Sequence, residues 1–321
     1  YAELLGLHGH VTKADSHSPT NMQFIIDAFK PKGKKPPTKF DLAIHNIVIR
    51  NTDLQYDLLS AKKKRGIFDP NHISVANLCA DVDLPRLKNN DFLIDIKRLS
   101  FKENSGFVVK NISANVALTS NNLVVTNFKI ELPNSLITIN QQEVTFDSLN
   151  HIGSAVKRAP LNLYLKDAKI NLSDFKAFVP DFKYFTEDFF LSCKINGDAD
   201  RLKIAFLRLN DYNGDINLNV NGEFLNLNNT PRISFKIPRI KLNIKGTEIN
   251  KITSHLVKLK PSQNSILKNL GDLRLDASIN GNVNFLDFKG QVFSSVGNLN
   301  LVAKARIYKK IVDLTEKISH N

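Results

Sequence analysis

The chain has no tryptophan, one methionine, two cysteines and 14 glycines among its 321 residues. Each scarcity narrows the reading. Cys79 and Cys193 form no Cys-x-x-Cys pair and sit in alternating stretches, which suits small buried hydrophobes rather than a bridge and leaves the compartment open. The glycines fall mostly at turns, and no Gly-x-x-x-x-Gly-Lys loop, Gly-x-Gly-x-x-Gly turn, Gly-x-Ser-x-Gly elbow or His-Glu-x-x-His pair is present. No run reaches the roughly 18 apolar residues that span a bilayer, and no signal peptide is visible. The chain begins at Tyr1 and stops in an amphipathic stretch, so it reads as an excised fragment.

What is present is apolar and basic. Hydrophobic residues make up 42% and charged residues 23%, enough for a core and too few charges for bulk disorder. Phenylalanine dominates the aromatics, 21 against 6 tyrosines, giving large rings without polar handles. The net charge of +13 is concentrated in Lys30-Pro-Lys-Gly-Lys-Lys-Pro-Pro37 and Lys62-Lys63-Lys64-Arg65. Such runs serve as solvated loops that blunt strand edges, or attract anionic lipid headgroups. Neither is interleaved with aromatics or set beside a nucleic-acid motif, so no nucleic-acid partner is expected.

Histidine spacing offers one metal candidate, His8-Gly-His10 with His17 nearby, but Glu3 and Asp15 do not complete a helical ligand set and an incidental loop is the simpler reading. No metal, cofactor or catalytic residue is assigned. Asp81/Asp83 and Asp198/Asp200 each place two carboxylates on one face of a strand, an arrangement that could bind a cation but for which a solvated face is the simpler reading.

Patterning sets the fold class. Residues 1–37 read as an N-terminal helix, with Met22, Ile25, Ile26 and Phe29 on one face, followed by a basic linker. Over 38–158 the period is two, in short strands broken by Asn, Asp, Ser or Gly turns, which predicts an antiparallel β-meander. Residues 159–321 continue in strands with two helical inserts, at about 172–189 and 248–270, and an amphipathic tail carrying Ile311, Leu314 and Ile318 on one face. The expected class is mainly β, a long curved antiparallel sheet or groove with a few short helices.

The second half also repeats itself. Ser173-Asp-Phe-Lys-Ala-Phe-Val-Pro180 is echoed 81 residues later by Ser254-His-Leu-Val-Lys-Leu-Lys-Pro261. Each copy leads to a strand ending in Ile-Asn-Gly, at Gly197 and Gly281. A repeated module points to an extended scaffold rather than one catalytic pocket. Strand after strand is apolar on one side, with few helices to cover it. A second sheet could seal that side as a dry sandwich, or the sheet could curl and leave an apolar track. Burial of a sixteen-carbon acyl chain is worth roughly 13 kcal/mol at about 0.8 kcal/mol per methylene.

Three stretches resemble the AsmA-like/TamB family of bacterial envelope proteins: Phe40-Asp-Leu-Ala-Ile-His-Asn-Ile-Val-Ile-Arg-Asn-Thr-Asp-Leu-Gln-Tyr-Asp57, Phe68-Asp-Pro-Asn-His-Ile-Ser-Val-Ala-Asn-Leu78 and Leu99-Ser-Phe-Lys-Glu-Asn-Ser-Gly-Phe107. Asn21-Met-Gln-Phe-Ile-Ile-Asp-Ala-Phe29 and the echoed module are similar to segments of the same family, so the resemblance runs from Asn21 to about Ala303. It implies a taco-like hydrophobic groove in the periplasm, an inner-membrane anchor helix missing here, and phospholipid as cargo between inner and outer membranes. It further implies outer-membrane and protein assembly with a TamA-type barrel, met by regions outside this chain. No catalytic residue transfers. The implied groove lining is Leu42, Ile44, Ile94, Ile96, Phe128, Ile130, Leu163, Leu165, Leu218, Val220, Phe235 and Ile237. A β scaffold that joins envelope proteins without lipid is the alternative.

Overall fold

The computed structural model describes residues 1–23, 45–88, 91–147, 159–249, 251, 269, 271–308 and 311–320. The chain divides into two compact units, one of Tyr1–Ile152 with Leu172–Lys183, the other of Gly153–Asn171 with Tyr184–Asn321. Both are built from strands, and the chain is mainly β with very few helical residues, as the period of two predicts.

In the first unit, β3 (Asn46–Leu58), β4 (His72–Lys88), β5 (Asp91–Glu103), β6 (Val108–Leu118), β7 (Asn122–Glu131) and β8 (Leu136–Thr145) form an open antiparallel meander. Two further strands, β1 (Ala2–Leu5) and β2 (His8–Lys13), add in parallel to β3, which makes the sheet mixed. No strand is expected here from the sequence pattern. Their partner lies more than forty residues away, and no local pattern announces such pairing. The expected helix lies, from residue 24 on, outside the described residues, as does the Lys30–Pro37 basic run.

The second unit is a nine-stranded antiparallel meander: β9 (Leu161–Asn171), β10 (Asp188–Gly197), β11 (Arg201–Asp211), β12 (Ile216–Leu225), β13 (Ser234–Ile244), β14 (Leu273–Asn282), β15 (Phe285–Ser294), β16 (Gly297–Tyr308) and β17 (Ile311–His320). The amphipathic tail forms β17, paired along its length with β16. A segment ten residues long fits either period, and the open edge of β16 decides for the strand. The insert expected at 172–189 is two 3₁₀ turns, Leu172–Phe175 and Pro180–Tyr184, because Pro180 interrupts any longer helix. Of the second insert, residues 246–249 are helical, and the Ser254–Pro261 echo lies outside the described residues.

Several strands are longer than the alternation suggests. Where the pattern slips phase, at Asn51, Asn77 and Asn127, the strand continues through a β-bulge instead of ending. Arg50 and Asn51 together oppose Cys79, Asn77 and Leu78 oppose Phe101, and Asn127 and Phe128 oppose Ala114. In the second unit Lys166 and Asp167 oppose Ser192, whose hydroxyl accepts from the Asp167 N–H at 2.9 Å. Asn51, Asn77, Asn127 and Asp167 all have φ between 50° and 53°, the left-handed conformation that Asn and Asp tolerate best among residues with a Cβ. The extra residue restores the apolar positions to one face and bends the strand.

The Ile-Asn-Gly echo has a structural meaning. Gly197 and Gly281 end hairpin arms at which the carbonyl four residues on passes overhead. A Cβ would lie 2.0 Å from the Arg201 oxygen in the first and 2.6 Å from the Phe285 oxygen in the second. The next residue then turns the chain in both copies, Asp198 Oδ1 accepting from the Asp200 N–H at 2.9 Å and Asn282 Oδ1 from the Asn284 N–H at 2.9 Å. Asp198 and Asp200 therefore belong to a turn, not to a strand face as the sequence reading had them.

Two substitutions test these backbone assignments by urea denaturation. Asn77→Gly is expected to leave the midpoint nearly unchanged, while Asn77→Val destabilises by about 1–2 kcal/mol because a β-branched residue resists positive φ. Gly197→Ala, at φ 121° and under a carbonyl, is expected to cost about 1–3 kcal/mol, and a neutral result would refute the overhead contact.

Candidate functional site

Register places the apolar side chains in rows. In the first unit Ile49, Ala80, Leu99, Ile112, Ile130 and Ile137 are successive cross-strand partners from β3 to β8. Ile47, Val82, Ile96 and Ala114 form the next row, and Phe92, Leu118, Leu123 and Val144 another. In the second unit one row runs Leu165, Cys193, Leu207, Val220, Ile240, Ala277, Gly290 and Leu301. A parallel row runs Ala168, Leu191, Leu209, Leu218, Leu242, Leu275, Val292 and Leu299. Directly opposed residues share a face, so each unit carries an apolar face crossing its meander.

The proposed lining residues fall on these faces. Ile94, Ile96, Phe128 and Ile130 belong to the face of the first unit, and Leu163, Leu165, Leu218, Val220, Phe235 and Ile237 to that of the second. Leu42 and Ile44 lie outside the described residues. Leu165 is buried, and the other nine described positions are half-buried. Phe235 lies across Gly281, its opposite partner, and the Phe288 ring lies over Gly290, so glycine and aromatic fill each other's space.

The reverse faces carry most of the charged and amide side chains. Asn46 Nδ2 donates to both Asp81 and Asp83, at 3.0 and 2.8 Å, and Lys97 Nζ sits 2.5 Å from Asp83, which accounts for that carboxylate pair as part of a solvated face. Lys97 holds Asp83 below the usual carboxylate range. Cys79 and Cys193 are free thiols, and burial pushes the Cys193 thiol up.

One titratable cluster was not legible in the sequence. Asp57, at the end of β3, accepts from His72 Nδ1 at 2.7 Å through one carboxylate oxygen; the other contacts His10 Nε2 at 2.8 Å and accepts from Gln55 Nε2 at 2.7 Å. The second His72 nitrogen meets the Ala61 carbonyl at 2.8 Å. Both His72 partners are acceptors, so the ring that satisfies them carries two protons. Asp57 raises the His72 pKa most, followed by the Ala61 carbonyl, and His72 in turn is the largest cause of the lowered Asp57 pKa. Of the three flagged histidines, His10 joins this cluster, whereas His8 lies 3.3 Å from Asp53 at the surface and His17 contacts Ser16. Among the described residues no three His, Cys, Asp or Glu side chains converge in a metal-binding group.

His72 has a raised folded pKa, so its contribution is complete below its unfolded value and is lost as pH rises through the folded one. Asp57 has a lowered folded pKa, so its contribution is lost as pH falls through that value. The stability difference between the native chain and His72→Gln is therefore expected to be largest between these limits and to shrink in alkali. Urea midpoints across pH, with the His72 titration followed by NMR, check this; a His72 pKa at or below the ordinary histidine value would overturn the assignment. No helix among the described residues is long and apolar enough to cross a membrane. No protein-family model, curated protein or solved structure matches the chain.

Proposed function

We propose that the chain is a non-enzymatic lipid-handling module of the AsmA-like/TamB kind, whose apolar sheet faces accept phospholipid acyl chains. One observation carries the reading. The apolar rows cross strand after strand, yet nine of the ten described lining candidates are only half-buried. A dry core of this apolar content would bring such residues close to full burial. Acyl chains would complete the burial that the side chains leave unfinished. The strand motifs at 40–57, 68–78 and 99–107 add the family resemblance. On this reading the module works in the periplasm, passing phospholipid between inner and outer membranes.

A local observation favours the scaffold alternative for part of the second unit. Around β9 and β10, Leu165, Ile170, Phe189 and Cys193 are between 1% and 5% exposed, a dry patch with no room for a chain. On the proposed reading, lipid lies away from that patch.

Native mass spectrometry after gentle purification tests the proposal, with bound phospholipid the expected result. Protein that carries neither lipid nor detergent favours the scaffold. Phe128→Asp introduces a carboxylate onto the apolar face at a cost of about 2–3 kcal/mol. That corresponds to roughly fiftyfold lower occupancy for a chain that touches it. A variant with native circular dichroism and an undiminished lipid load would show that this face does not hold the chain.

A further inference from the structure

Three hairpin turns of the first unit converge at one end of its sheet: 59–71 between β3 and β4, 104–107 between β5 and β6, and 132–135 between β7 and β8. The segment Leu172–Lys183 ties them together. Ala177 O accepts from the Phe68 N–H at 2.7 Å, and the Phe178 ring packs 5.2 Å from Phe68 and 5.1 Å from Phe107. Asp174, buried, accepts from the Asn134 N–H at 2.9 Å and the Ser135 hydroxyl at 2.7 Å.

The charges at this end are segregated. Asp69, Glu103 and Asp174 are buried and turned inward, Asp69 accepting from the Lys64 and Asn71 N–H groups and Glu103 from the Ser105 N–H. Asp57 is committed to its histidines. Among the described residues the exposed acids here are Asp15, which closes its own turn, and Asp181. In contrast, Lys62, Lys63, Lys64, Arg65 and Lys176 are all exposed, and none forms an ion pair among the described residues. Large apolar side chains stand among them, with Leu59 65% exposed, Phe178 47% and Val179 41%.

We propose that this end of the first unit docks on an anionic phospholipid bilayer surface, the basic loop against headgroups and Leu59, Phe178 and Val179 at the acyl boundary. Cationic side chains beside protruding hydrophobes match both layers of a membrane interface at once. A nucleic acid would use the charge but would leave the aliphatic Leu59 and Val179 in water. The loop is presented in a fixed place, because the Ala61 carbonyl bonds to His72 and Asp69 gathers the Lys64 N–H. This surface is independent of any acyl chain in the sheets, and a lipid-free scaffold would dock equally.

The test is co-sedimentation of the full chain with vesicles of phosphatidylcholine alone and of phosphatidylcholine mixed with phosphatidylglycerol. Binding is expected to the mixed vesicles, weakening with salt. The combined Lys62→Gln, Lys63→Gln, Lys64→Gln and Arg65→Gln variant should lose roughly tenfold or more in partitioning. A matched variant neutralising exposed Lys203, Lys236, Lys289 and Lys304 of the second unit should lose little. Equal losses would reduce the effect to net charge and overturn the proposal, as would equal binding to both vesicle types. Stronger binding to single-stranded DNA than to vesicles, abolished in the same loop variant, would assign the patch to nucleic acid and overturn it too. Because the chain contains no tryptophan, Leu59→Trp supplies a unique reporter. Its emission should shift to the blue on mixed vesicles, and an unshifted spectrum on bound protein would show that the apolar tip stays in water.

Discussion

The rest of the structure depends on the two-residue period of the pleat. A strand can keep one face apolar only while its residues alternate, and twist accumulates along strands of up to 17 residues. Left-handed Asn and Asp residues relieve that conflict. Each lets two residues stand opposite one, so the strand bends and the apolar set resumes on the face it left. Without Asn51, Asn77 and Asn127 in that conformation, the two halves of β3, β4 and β7 would point their hydrophobes to opposite sides. The rows Ile49–Ile137 and Leu165–Leu301 exist because these slips are taken up locally.

Half-burial of those rows links fold to chemistry. A carboxylate and an amide on the reverse side find partners within their own sheet, as Asp81 and Asp83 do with Asn46. An isoleucine on the apolar side has no directional bond to satisfy and is stabilised only by what excludes water from it. In the dry patch near Phe189 neighbouring side chains do this. Over most of the remaining rows the side chains stay half-buried, and water is excluded from them only in part.

Much of the fold was legible because antiparallel meanders pair neighbours in sequence. The alternation of β5 to β8 and β10 to β16 can be read residue by residue, and so can the facing of Phe128, Ile130, Leu218 and Val220. Phase slips misled because an Asn in an alternating run signals both a turn and a bulge; only the presence of a partner strand on each side distinguishes them. Strands β1 and β2 were invisible because parallel pairing joins distant segments. The Asp57–His72 pair was missed for a related reason: its members lie on different strands joined by a basic loop, and neither has a motif of its own. The Ile-Asn-Gly echo was seen in the sequence, but its reason, a carbonyl over each glycine followed by a side-chain turn, required the backbone.

Leu172–Lys183 belongs by its contacts to the first unit although the second has already begun, at Gly153. The two units therefore interleave along the chain. During vectorial synthesis the first sheet can form hairpin by hairpin as far as β8. Yet Ser135 and the rings of Phe68 and Phe107 await partners that emerge only after β9. Completion of the first unit is thereby timed to the start of the second. Expression of residues 1–152 alone would leave those groups facing solvent, with a turn cluster unclosed and open to wrong partners.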